Sequence, residues 1–527
     1  MTQNVTVIGG GISGLAAAAL LAKDGHRVTL FERGTCTGGR VGVYRRDGFT
    51  FDTGPSWYLM PEVFEHFFRL MGTSAQRELD LTRLEPAYRV FGQNYAEPLD
   101  IRADLEDTVR VFESVEPGAG AKIRDYVASA DRTYNLAVQH FLYTSFSSPK
   151  TFARLLNFDV LRHLPSLGKH LISSLHALTH QTVKDTRLRQ ILGYPAVFLA
   201  SRPRQTPSIY HLMSRMDLAD SVQYPTGGFF TIIQAIERLA REYGVDIVLN
   251  ANVERILTVP NKQGKYSAKV TGVQWRDADG ALRDHTAERV ISAGDLHHLE
   301  TTMLPEHLQT YPRSRWARQQ TGPGAVLVLL GVRGAIPQLT HHNLFFTEDW
   351  DTNFSAIFDD PTRVPDPASI YVCKPSETDE SIAPEGDENL FVLVPVPADV
   401  SIGHGGNDEQ GSPQVEAVAD RVIAQIAAWA DVPDLAQRIV VRRTIGPADF
   451  ADNYHAWRGN VLGPAHTLRQ SAFLRGRMRS RTVDGLHYCG STTVPGIGLP
   501  MCLISAENIL KDFRSNTTTA PLPEPQN

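Results

Sequence analysis

Gly9, Gly11 and Gly14 stand in the spacing G-x-G-x-x-G, and Glu32 follows eighteen residues after the last of them. Glycines so placed suit a diphosphate. The first permits a tight turn, the second lets phosphates approach the backbone, and the third lets a helix pack on the preceding strand. An acid at that distance is placed to bond a ribose hydroxyl. Two more groups follow, Gly38-Gly39-Arg40 and Gly54-Pro55-Ser56, in which permissive backbone is joined to a guanidinium fork suited to phosphate oxygens. Far along the chain, Gly490 to Met501 (G-S-T-T-V-P-G-I-G-L-P-M) is a third glycine-rich segment. A nicotinamide dehydrogenase has no need of the second segment so soon, whereas a bound flavin must be gripped along its whole length.

The flanking residues supply the elements these groups need. Val5, Val7 and Ile8 form a short apolar run suited to a buried parallel strand. The Ala/Leu-rich run from Ile12 to Lys23 predicts a helix ended by Gly25, so its free N–H groups face the glycine turn. Val28 to Phe31 reads as the next strand. Near the other end, Gly485 to Cys489 reads as a strand, and Cys502 to Phe513 as a helix. The positive end of that helix suits the charge of a reduced, anionic isoalloxazine.

At 527 residues the chain exceeds what one core usually holds, which predicts two or three subdomains. A net charge of −6 leaves no basic excess for a general nucleic-acid binder. The four cysteines form no C-x-x-C pair and read as thiols in a reducing compartment. The first strand begins close to Met1, so no secretory leader is expected, and no apolar run reaches the roughly 18 residues that cross a bilayer. The expectation is a chain that is cytoplasmic or attached to the cytoplasmic membrane face.

The middle of the chain is less uniform. Between Lys150 and Arg204, nine basic residues face only Asp159 and Asp185, a local net charge of +7 interleaved with Leu, Phe and Ile. That is the profile of amphipathic helices on an anionic membrane surface, and equally of a helical lid with a solvated basic face. Tyr88 to Tyr95 and Ile101 read as strands of a smaller sheet. Val245 to Leu249 and Asn250 to Ile256 read as two strands, the second returning to the dinucleotide sheet. Lys269 to Trp275 and Asp284 to Ser292 read as a hairpin around Asp277-Ala278-Asp279-Gly280, and Val290 to Asp295 reads as a further buried strand of the dinucleotide domain. His297-His298 and His341-His342 suggest a metal, but neighbours on a strand point to opposite faces, no cysteine lies nearby, and Asp295 and Glu300 alone complete no recognisable ligand set, so no metal is expected.

Taken together, G-G-G-I-S-G, E-R-G, G-G-R, G-F-T-F-D-T-G-P-S, Y-P-T-G-G-F and G-S-T-T-V-P-G-I-G-L-P resemble the bacterial-type phytoene desaturases, FAD-dependent enzymes of carotenoid biosynthesis. The resemblance runs from Val5 to Phe513. It implies an α/β fold with a Rossmann-like FAD-binding domain, similar to the flavin amine oxidases, plus an inserted mixed α+β substrate domain and a helical membrane-associating subdomain. The implied division is 1–75, 224–298 and 480–513 for FAD, 76–135 and 299–479 for substrate, 136–223 for the helical lid, and 514–527 as a disordered tail. It implies non-covalent FAD held by Gly9, Gly11, Ser13, Gly14, Glu32, Arg33, Gly39, Arg40, Gly54, Pro55 and Ser56. Val253 (at the adenine), Asp295, Gly490, Gly498, Leu499, Pro500 and Met501 complete that set. The implied partners are a hydrophobic polyene, the membrane surface, and oxygen or a quinone as electron acceptor, with self-association left open. Phytoene desaturation is the activity implied. A later-step desaturase or oxidase, a redox-neutral isomerase, a flavin amine oxidase and a non-catalytic flavoprotein scaffold are the alternatives, and no side chain is singled out as the catalytic base.

Overall fold

The N-terminal run Asn4–Ile8 is β1, followed by α1 (Ile12–Lys23) and β2 (Arg27–Phe31). The structure, a computed structural model, describes residues 1–102, 104–144, 168, 170–220, 222–261, 264–471 and 474–525. Ile12 to Ala22 are all buried, because α1 lies between the sheet and two further helices, α2 (Phe230–Glu242) and one described below. Four consecutive alanines, Ala16 to Ala19, let those neighbours come close. β3 (Asp246–Val248), β4 (Arg289–Ser292) and β5 (Leu486–Tyr488) complete the sheet. The order is β5-β4-β1-β2-β3, and each neighbouring pair is parallel. The last strand leads into a glycine loop and α3 (Leu499–Phe513), the other helix against α1.

Two strand expectations need correction here. Asn252–Pro260 does not return to the dinucleotide sheet; it pairs antiparallel with Ala268–Arg276 in a separate sheet, and Asp246–Val248 is the strand that joins β2. The hairpin partner is Leu282–Thr286, whereas Arg289–Ser292 leaves it to become β4. Local pattern marks a strand but not its partner, and partner choice here is a contact between distant residues.

A second sheet carries seven strands among the described residues, in the order 439–445, 324–332, 388–396, 370–373, 342–346, 88–92 and 99–101. Tyr88–Gly92 and Leu99–Ile101 are thus strands of a second sheet, as expected, but it is the larger of the two and they form its edge. Side chains alternate along Gly324–Val332. Val326, Val328 and Leu330 pack on Val415, Val418, Val422 and Ile426 of the helix Pro413–Trp429. Ala325, Leu327 and Leu329 face the opposite way, toward Phe49, Phe51 and Phe391.

Of the basic stretch, Lys150, Arg154, Arg162 and Lys169 lie outside the described residues. Three of the rest are ion-paired within the chain: Arg187 with Asp185, Arg202 with Asp359 and Arg204 with Asp351. The tail expected to be disordered is instead held down. Leu522 is buried, its N–H donates to Glu507 at 2.7 Å, and Glu524 reaches His66 at 2.9 Å.

Candidate functional site

A cavity of about 1270 Å³ runs between the two sheets, from the N-terminal glycine turn to the C-terminal glycine loop. Gly11, Ile12 and Ser13 at the start of α1 line it, as do Gly498 to Met501 at the start of α3. Neither helix has a side-chain cap at its N-terminus, so two sets of free N–H groups face one cavity. Gly14 does not line it. A Cβ there would meet the carbonyl oxygen of Gly9 at 2.0 Å, which makes it the packing glycine of the motif. Gly490 likewise sits behind the wall, with φ +108° and Ser13 Oγ 2.9 Å from where a Cβ would be.

The other residues implied by the motifs are brought together. Glu32, Arg33, Gly39, Arg40, Gly54, Pro55, Ser56, Val253 and Asp295 all line the cavity. Glu32 has a task that sequence did not reveal: its carboxylate accepts the N–H groups of Gly10 at 2.7 Å and Gly34 at 2.6 Å, tying both sides of the turn. Arg33 donates to the carbonyls of Asp452 and Asn453. Gly38 hooks the second glycine segment to the first through its N–H to Gly10 O at 2.8 Å. Asp295 caps a short helix by accepting from His298 N at 2.9 Å, and burial pushes its carboxyl above the usual range.

These groups fit an FAD. At Gly11 the nearest atom to the place of a Cβ is Gly38 O at 4.0 Å, and Gly54 has Arg40 O only 1.9 Å from the place of a Cβ. Arg40 stands over the Tyr454 ring, and its buried Nε has no protein partner. An orphaned donor among free helix amides, facing a cavity, is the donor set a diphosphate calls for.

Beyond the loops the wall becomes apolar and aromatic. Trp57, Leu59, Phe141, Tyr194, Phe198, Leu212, Leu327, Phe346 and Phe391 line it. Sequence reasoning missed the polar groups set among them. Tyr194 donates its hydroxyl to Asp217 at 2.6 Å, and Tyr88 does so at 3.1 Å. Burial raises the Asp217 carboxyl to about 7, and its Oδ1 is unpartnered. Near the tail loop, His466 is buried with Nδ1 on the Tyr210 hydroxyl at 2.9 Å, and its Nε2 is unpartnered. Burial moves that imidazole well below its ordinary value, so it is neutral. No local pattern marks Asp217 or His466; each acquires its setting from elements far away in sequence.

The histidine pair also needs correction. His341 and His342 have ring centroids 4.6 Å apart, and Cys373 stands opposite His342 across two paired strands. The three offer ligand atoms within 4.8 Å of one another. Sequence distance hid the cysteine, and His341 lies just outside the strand, free of its alternation. In this structure the Nδ1 atoms are engaged by Thr378 at 2.8 Å and Tyr371 at 2.7 Å. Burial holds the Cys373 thiol protonated rather than as the thiolate that zinc sites use.

Residues 12–509 match the family model described as flavin-containing amine oxidoreductase. The chain belongs to that family. Within it the chain falls among the carotenoid desaturases, being 40% identical to a carotenoid 3,4-desaturase of Haloarcula japonica over 96% of this chain and 97% of that one. It is 29% identical to a 4,4'-diapophytoene desaturase (4,4'-diaponeurosporene-forming) of Staphylococcus aureus, over 96% and 97% of the two chains. An oxidoreductase of Methanosarcina mazei superposes with a TM-score of 0.61 at 17% identity, covering 96% of this chain and 100% of that chain. Putrescine oxidase, solved with putrescine bound, superposes with a TM-score of 0.58 at 15% identity, covering 98% and 99%. At those identities the structural likeness speaks for the fold. The protein is an FAD-dependent oxidoreductase of this flavin family, with a fold like that of the flavin amine oxidases.

Proposed function

We propose that this enzyme desaturates an acyclic carotenoid, with phytoene as substrate and more unsaturated carotenes such as lycopene as products. The single observation that carries this is the cavity itself. The cavity of about 1270 Å³ has to hold FAD at its glycine loops, and the part beyond them, left for substrate, is walled by apolar and aromatic side chains. A hydrocarbon offers no hydrogen bond, so its affinity must come from buried apolar surface, about 25 cal/mol per Å². A putrescine-like amine would instead need polar groups at the far end.

Bound FAD supplies the hydride acceptor that an allylic C–H bond needs. The chain's own task is then to orient the polyene, exclude water and take the proton from the neighbouring carbon. Tyr194 and Asp217 suit that last task. The Tyr194 hydroxyl accepts the substrate proton while its own proton passes to Asp217 Oδ2. The sequence holds no second G-x-G-x-x-G, which supports oxygen or a membrane quinone as the final acceptor.

The 40% identity to a carotenoid 3,4-desaturase favours a second reading, in which the substrate is an already conjugated carotene and the new double bond lies at C3–C4. One assay separates them. Purified holoprotein receives phytoene or lycopene in lipid dispersion, with a quinone, and the polyene spectrum is followed. New long-wavelength bands from phytoene support the first reading. Bands from lycopene alone support the second, and a cis/trans change without lengthening removes both.

Approach from a membrane surface is also part of this proposal. Among the described residues no helix is long and apolar enough to cross a membrane. Leu171, Leu468 and Leu474 line the cavity and also stand exposed, and Ile172, next to Leu171 in the chain, is 85% exposed. An apolar rim at a cavity mouth would let a polyene leave a bilayer without crossing water.

A further inference from the structure

Behind the C-terminal glycine loop lies a buried positive charge. Arg475 is 4% exposed. Its Nη1 donates to Pro464 O at 3.3 Å, its Nη2 to Ser491 O, and its Nε has no partner. Among the described residues no carboxylate forms an ion pair with it; the ionisable groups that act on it are Tyr210 and Cys502. Burial pulls the guanidinium down only to about 10, so it is charged at neutral pH.

An unpaired buried cation has lost its hydration, and two carbonyl dipoles offset only part of that loss. If the residue only pinned the loop, a neutral amide donor would do so without the charge. Its surroundings indicate what the charge faces. Ser491, which it holds, lines the cavity, as do Thr492 and Cys502, and the uncapped N-terminus of α3 faces the same place. Two positive features thus converge on a wall where, among the described residues, no carboxylate pairs with the guanidinium.

We infer that Arg475 is the fixed counter-charge for the negative charge that the FAD ring system acquires on two-electron reduction, and that it raises the reduction potential of the bound cofactor. The inference rests on the ring system lying beside residues 490–501. Arg475 acts through the low dielectric of the site rather than by contact, so it is a positioning residue for charge.

Sulfite tests this without any carotenoid. Its lone pair adds to N5 of the oxidised ring, nothing leaves, and the adduct bears the same negative charge, while the visible absorbance bleaches. Wild-type holoprotein, Arg475→Met and Arg475→Lys are compared at equal FAD content. The Met variant is expected to bind sulfite at least tenfold more weakly, which for a two-electron couple corresponds to a potential lower by ~30 mV. Lys is expected to restore most of the affinity. Unchanged sulfite affinity in an FAD-replete Met variant overturns the inference. Should that variant lose FAD, Arg475→Gln is compared with Arg475→Lys. Both keep a donor for Ser491, and equal affinities overturn the inference equally. A wild-type enzyme that leaves every carotene unchanged would sink the desaturase reading while leaving the sulfite result intact.

Discussion

Tyr194 donates to Asp217 across 2.6 Å inside the protein, and the tyrosine ring forms part of the cavity wall while the carboxyl lies behind it. Among the described residues no cation neutralises that carboxyl; only tyrosine hydroxyls and its own backbone favour its ionised form. Burial holds it near 7, against 3.8 for an ordinary aspartate. The folded chain therefore binds this proton more tightly than the unfolded chain. The contribution to stability is fully present below about pH 4 and is lost as pH rises through 7.

Asp217→Asn keeps an acceptor for both tyrosines and removes the titration. Relative to wild type, the variant should gain stability between pH 5 and pH 8, by up to about 2–3 kcal/mol, the part of the three-unit shift that lies above pH 5. Thermal scans at the two pH values read this directly. Under the proposed mechanism, turnover falls about 10²-fold and loses its acidic limb. A parallel pH dependence of melting in the two proteins would remove Asp217 as a titrating group.

Gly14→Ala should abolish FAD binding, because the new methyl would sit 2.0 Å from Gly9 O and 3.1 Å from Ala293 Cβ. α1 cannot retreat, since α2 and α3 lie behind it. Gly25→Ala is the control. Gly25 has φ +90° but nothing within 4 Å of a Cβ, so only backbone strain of about 1 kcal/mol is added and FAD is kept. Absorbance of the purified proteins in the flavin bands measures both outcomes.

The C-terminal segment gives a prediction of another kind. Leu522→Ala would lose about 2–5 kcal/mol if the segment stayed in place. A short terminal strap instead detaches once its own docking energy is exceeded, so global melting should fall by less, while residues 516–525 become open to proteolysis. His66, between Glu507 at 3.0 Å and Glu524 at 2.9 Å, is held above its ordinary value despite the opposing effect of burial. Its contribution is present below pH 6.5 and is lost as pH rises through the raised value, so protease cleavage of the tail should speed up on the alkaline side. Equal cleavage rates at pH 6 and pH 9, once corrected for the protease, would contradict this.

Much of the cofactor half was legible in sequence because its constraints are local. A strand, a glycine turn and a helix within thirty residues leave few arrangements. The co-occurrence of G-F-T-F-D-T-G and Y-P-T-G-G-F has its physical reason in the fold, where Asp52 Oδ2 accepts the N–H of Phe229 at 2.9 Å. What failed was non-local. Val253, Ile256 and Val259 suit a strand in either sheet, and only distant pairing decides which. Composition made residues 514–527 look unstructured, yet within the described part, up to residue 525, Leu522 and Glu524 hold the chain to the core. The basic stretch looked unpaired because Asp351 and Asp359, the partners of Arg204 and Arg202, lie about 150 residues away.

That pairing sharpens the last prediction, which concerns the membrane. With Arg187, Arg202 and Arg204 each paired to an aspartate, the charge left in the described part of the stretch is small. Exposed ion pairs are worth only about 0–1 kcal/mol, so they do not bar these arginines from lipid, but they halve the attraction by supplying anions at the same surface. The apolar rim should then dominate. Ile172→Glu and Leu468→Glu together put two charges where two exposed apolar side chains stood, without touching the core. Co-sedimentation with vesicles should fall at least tenfold for both neutral and anionic lipid, while FAD content and melting temperature stay at wild-type values. Under the proposed desaturation, turnover should fall for the carotene substrate in vesicles and persist for the same carotene in detergent. A double variant that still sediments with neutral vesicles would place the membrane contact elsewhere on the molecule.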